Sequence, residues 1–125
     1  MRYPRMLLTS LPAALLMVST MACGGESAPP PPPTAEVELG QKIYGRICAT
    51  CHGADANGMP ALGKGLRSNA FIRDLSDAEV VEFLKVGRSA SDPLNETGID
   101  MPPKGGDPSL TDDELLALVA YMRTL

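Results

Sequence analysis

Cys48-Ala49-Thr50-Cys51-His52 decides how the rest of the chain is read. Two thiols three positions apart share one side of a helical turn, and an imidazole follows at once. This is the attachment pattern of c-type haem. Each thiol can form a thioether to one haem vinyl group, and the next residue turns its ring under the iron. The chain has three cysteines and one histidine, so the pattern offers one proximal ligand and one haem. The competing readings are weaker. A structural zinc site wants four nitrogen or sulfur ligands, and Cys48, Cys51 and His52 are all this segment provides. A thioredoxin-like pair belongs at the strand-to-helix junction of a βαβ unit, and no strand pattern precedes Cys48.

Composition agrees with a domain folded around a cofactor. Residues 35–125 make one small domain, whose core is marginal without help. It has no Trp, and its aromatic residues are Tyr44, Phe71, Phe83 and Tyr121. A covalent haem would supply the missing apolar centre. The formal charge is −4, and it becomes more negative once Arg2 and Arg5 are removed with the N-terminal segment. That balance argues against nucleic acid and against charge-driven binding to anionic membranes.

Residues 1–22 read as an export signal: Arg2 and Arg5, then the uncharged apolar run from Met6 to Ala22. The run is short for a membrane span and ends in small residues. Thr20-Met21-Ala22-Cys23 resembles a bacterial lipobox, with Thr20 where Leu is usual, which makes Cys23 a candidate lipid anchor. Cleavage after Ala22 with a free thiol, or an uncleaved N-terminal anchor, are the alternatives. All three export the domain, the side on which haem is attached. Residues 23–34 form a tether. Pro29 to Pro33 cannot enter a helix and favour polyproline II, so the tether reaches at most about 37 Å.

The domain reads as all-α: three main helices with short turns and Pro/Gly loops. Gly40, Ile43, Tyr44 and Ile47 make one stripe of a helix over 35–50. Gly40 weakens that helix, so a second helix is expected close by. Ser76 with Glu79 and Thr111 with Glu114 are capping boxes. They open a helix that ends at Gly87 and a last helix with Leu115, Leu118, Val119 and Met122 as its stripe. Residues 88–110 form a long loop, rich in Pro and Gly, of the kind that carries function in a compact domain.

A second axial ligand would make the iron an electron-transfer site, and a thioether would raise its potential. Met122 sits on a core stripe, where methionine fills space. Met59 is seven residues from His52, a span of about 24 Å fully extended, barely enough to pass a porphyrin edge. Met101 stands in the long loop, stiffened by Pro102 and Pro103, and is the preferred ligand. The carbonyl groups around Pro60 offer the acceptor that a ligating histidine's second N–H requires.

On Gly40-x3-Tyr44-x3-Cys48, Cys51-His52-Gly53, Pro60-x-Leu62, Gly87 and Met101-Pro102, the domain resembles the class I monohaem c-type cytochromes over residues 36–125. The resemblance implies a haem c with His52 and Met101 as axial ligands. It implies that the Pro60 carbonyl accepts from His52, and that Tyr44 and Leu62 belong to the cofactor-binding set. It also implies crossed terminal helices, with Gly40 and Tyr44 against Leu118 and Tyr121. The lysine-rich docking ring of mitochondrial cytochrome c is absent from the pattern. The expected function is one-electron transfer on the periplasmic side of a membrane, without enzymatic activity, serving a dehydrogenase, an oxidase or a quinol-oxidising complex. A dedicated subunit of such a complex is the alternative. A haem sensor or peroxidase is a third reading, which a liganding Met101 opposes.

Overall fold

The computed structural model describes residues 31–125. The export segment, most of the tether and Cys23 lie outside the described residues. Thr34 ends the proline run and caps α1 (Ala35–Ile43), its hydroxyl accepting from the Val37 N–H at 3.3 Å. Glu36 and Glu38 in the first turn and Lys42 in the last complement the helix dipole. The helix continues without a break through a π-helical turn (Tyr44–Cys48) into α2 (Ala49–His52). It stops at Gly53, whose φ of 80° lies in the region that favours glycine.

Three further helices complete the chain. α3 (Ala70–Asp74) is short and capped by Asn69. α4 (Asp77–Val86) and α5 (Asp112–Met122) both open on complete capping boxes, at Ser76/Glu79 and Thr111/Glu114. A 3-10 turn (Pro103–Gly106) lies between them. No strand occurs among the described residues, only the isolated bridges Met59–Gly63 and Arg88–Met101. The domain is all-α, with the expected three main helices. No helix among the described residues is long and apolar enough to cross a membrane.

α1 crosses α5 where Gly40 meets it. A Cβ on Gly40 would fall on the Ala117 carbonyl and 2.8 Å from the Tyr121 Cβ. One turn on, the Tyr44 and Tyr121 rings pack at 5.4 Å with a 54° tilt. Leu115, Leu118, Val119 and Met122 of α5 are all buried, and they join Ile43, Val80, Val81 and Leu84 in one core. Arg123 ties the end of α5 to α4, donating to Asp77 at 2.8 Å and to the Leu75 and Ile72 carbonyls.

Candidate functional site

One cavity of about 190 Å3 opens into this core. Its walls bring together Cys48, Cys51 and His52 from the first helical run, Leu62 from the next loop, and Met101 from the loop after α4. Most of the remaining lining is apolar, including Leu84, Leu115 and Leu118. A large apolar group carrying a metal at its centre fits these walls.

The π-turn sets the phase of the attachment segment. In it the Ala49 N–H reaches back five residues to the Tyr44 carbonyl. The extra residue rotates the attachment segment relative to the Gly40–Tyr44 stripe. Tyr44 therefore faces α5, while Cys48, Cys51 and His52 face the cavity. The resemblance put Tyr44 both among the cofactor-binding residues and against the last helix. Tyr44 does not line the cavity; its hydroxyl donates to the Gly53 carbonyl at 2.7 Å and fixes the end of the attachment helix. Burial, with Cys48 nearby, pushes this phenol up to about 12.

The acceptor for His52 also differs from expectation. Nδ1 lies 2.7 Å from the Lys64 carbonyl, not the Pro60 carbonyl. A carbonyl can only accept, so Nδ1 carries the proton and Nε2 keeps its lone pair for a metal. The reason is the path of the loop. Pro60 sits exposed in a tight turn closed by Met59 and Gly63, whose N–H and carbonyl groups pair at 2.8 and 3.1 Å. Beyond that turn the backbone is drawn against the attachment segment: a Cβ on Gly63 would meet the Cys51 carbonyl, and one on Gly65 the Asn57 carbonyl. Lys64 lies between these two close approaches, and its carbonyl is the one presented to the ring. The spacing Gly58, Gly63, Gly65 was the signal for this; read as close backbone contacts, it points past Pro60.

Met101 is pinned by its backbone. Its N–H donates to the Arg88 carbonyl at 2.8 Å and its carbonyl accepts from the Arg88 N–H at 2.9 Å. Gly87, at φ 73°, lets this pairing approach the end of α4, because a Cβ there would fall on the Met101 carbonyl. Between the paired residues the loop is organised by Asn95. Its side-chain oxygen accepts from the Thr97 and Gly98 N–H groups, and its nitrogen donates to the Ser89 and Ile99 carbonyls. Neither Asn95 nor Arg88 was singled out from sequence.

The Cys48 thiol is pushed up to about 11, first by burial and then by Cys51. The thiol of a reactive redox cysteine would be shifted the other way. Among the described residues no group of three or more His, Cys, Asp or Glu side chains is arranged to hold a metal ion on its own.

Comparison with known proteins agrees with this geometry. Residues 35–122 match the family model described as "Cytochrome C oxidase, cbb3-type, subunit III". Cytochrome c-555 of Prosthecochloris aestuarii is 34% identical over 83 residues, covering 66% of this chain and 81% of that protein. No solved structure matches the chain. The chain thus belongs to the c-type cytochromes, a family that binds haem c covalently and transfers electrons with it, and Cys48 to His52 is its attachment spacing.

Proposed function

We propose that the protein is a one-electron carrier whose single haem is bound through Cys48 and Cys51, with His52 and Met101 as axial ligands. The observation that carries this reading is the convergence of Cys48, Cys51, His52 and Met101, from two distant segments, on one apolar cavity. The haem supplies the ferric/ferrous couple. The chain supplies the rest. The Lys64 carbonyl holds the imidazole in the tautomer that leaves Nε2 free. The Arg88–Met101 pairing holds the thioether in place. Leu84, Leu115 and Leu118 give the cavity an apolar wall, which together with thioether ligation favours a raised potential. The decisive experiment is an optical spectrum and an intact mass of protein matured with a haem-attachment system. A c-type spectrum with a sulfur-to-iron charge-transfer band and the mass of one haem is expected. A missing band overturns Met101, and a missing haem overturns the whole reading.

Residues 1–22 and Cys23 support export and lipid anchoring on the periplasmic side, with residues 23–34 as the tether. The partners would then be redox proteins at the same membrane. A fixed place in an oxidase complex is the second reading, favoured by the description of the matching family model. Native co-purification distinguishes a shuttle from a subunit.

A further inference from the structure

Arg88 is left with work undone by the fold. It stands just after Gly87 at the end of α4, and its side chain lines the cavity. The guanidinium lies 5.0 Å from the Phe83 ring centre and 5.1 Å from that of Phe71. Those rings meet edge-on at 4.7 Å, so the head group is held by aromatic contacts worth about 0.5–2 kcal/mol each. Nη1 donates to the Leu94 carbonyl at 3.1 Å. Nε, however, is buried and has no hydrogen-bond partner. The nearest carboxylate, Asp92, stands 3.9 Å away, beyond hydrogen-bond reach. A buried N–H on a charged group that finds no acceptor costs about 1–3 kcal/mol or more.

The other charged groups on the cavity wall are already engaged. Lys64 pairs with Glu96 at 2.5 Å. The Lys104 amine donates to the Leu110 and Pro108 carbonyls. Asp100 accepts from the Ala90 N–H. Arg88 is therefore the cation on this wall with a donor left over, and a carboxylate carried by whatever fills the cavity would satisfy both that donor and its charge. A haem carries two carboxylates of its own.

We propose that Arg88 is a haem-propionate-binding residue, its Nε–H donating to one propionate carboxylate. This rests on the reading of the cavity as the haem site. A fixed guanidinium beside the haem favours the less positive ferrous state, so Arg88 also raises the potential.

The test compares matured wild type, Arg88→Gln, Arg88→Lys and Phe71→Leu by intact mass, by the resonance Raman band of propionate bending, and by redox titration. Arg88→Gln is expected to shift the propionate band and to lower the potential. The shift corresponds to about tenfold more ferric protein at a fixed ambient potential, or about 59 mV for one electron. Arg88→Lys keeps the charge and most of the potential but loses the band position, because an ammonium lacks the guanidinium's fixed donor geometry. That band decides the matter even if Arg88→Gln does not mature. An unshifted band in the variants that mature overturns the proposal, and so does a Phe71→Leu protein that reproduces the arginine variants' changes, since packing alone would then account for them. Wild type without covalent haem overturns the cavity reading, and the proposal with it.

Discussion

Met101 and His52 reach the same cavity by different means. His52 sits on a helix and is oriented by one backbone carbonyl. Met101 sits on a loop and is oriented by two backbone hydrogen bonds to Arg88. Replacing Met101 by Ala removes the thioether without touching those hydrogen bonds. The expected result is a folded, haem-bearing protein with a lower potential, no sulfur-to-iron band, and carbon monoxide binding in the reduced state. An unchanged potential would sink the assignment. At this scale the sequence was informative where chemistry is local and silent where it depends on chain path. The Cys48–His52 spacing is a property of five adjacent residues. The partner of Nδ1 depends on how Gly63 and Gly65 press the loop against Cys51 and Asn57. That path carries the Lys64 carbonyl to the ring and leaves Pro60 outside, and no single residue announces it.

Among the elements, α4 and α5 were legible to within a residue, because a capping box is written into four consecutive positions. Both boxes form as read, with Ser76 and Thr111 each accepting from the N–H three residues on and receiving the Glu carboxylate in return. The π-turn at Tyr44–Cys48 was not legible, because its extra residue carries no distinctive side chain. The contact of Tyr44 with Tyr121 was expected all the same, from the helix crossing that the resemblance implies. The crossing of α1 and α5 gives a prediction with an internal control. Gly40→Val puts atoms onto the Ala117 backbone, which cannot move without separating the helices, and should cost about 1–3 kcal/mol or more. Gly45, five residues on, has nothing within 4 Å of its would-be Cβ, so Gly45→Ala should be neutral or stabilise by up to about 1 kcal/mol. Chemical denaturation of the matured protein measures both. Equal effects at the two positions would remove the argument for close helix contact at Gly40.

The boxes also set an acid limit. Ser76 donors hold the Glu79 carboxyl below its ordinary value of 4.5, and Thr111 donors do the same for Glu114. Asp55 and Asp107 are lowered likewise from 3.8, by Asn57 and Ser109 donors. As pH falls, the unfolded chain takes up these protons first. The stabilisation is therefore fully present above the ordinary carboxyl range and is lost as pH falls through the lowered folded values. Denaturation midpoints should be level near neutrality and decline in the acid range. The Ser76→Ala/Thr111→Ala double variant should decline less steeply, and an identical slope would count against the cap carboxylates.

For the molecule as a whole, the deciding quantity is the cavity. Its volume is about 190 Å3, and without an occupant the apolar side chains on its wall, Leu84, Leu115 and Leu118 among them, have water or nothing to pack against. A small domain has only about 5–15 kcal/mol of stability in total, and this one buries few large side chains, led by Tyr44, Leu115 and Leu118. The helix caps, the α1–α5 crossing and the Arg123 ties are independent of the cofactor and should let helices form transiently. Residues from α4, the Met101 loop and the attachment helix, among them Leu84, Met101 and Cys51, meet along the cavity wall. Cys48→Ala/Cys51→Ala, which cannot hold haem covalently, should therefore lose cooperative unfolding and most amide protection in residues 88–110, with α1 and α5 the last helical segments to exchange. Hydrogen exchange on the double variant, set beside the matured wild type, measures this segment by segment. Uniform, native-like protection in the variant would mean that the polypeptide closes its own core, and the cavity would then be a ligand pocket in a self-sufficient fold.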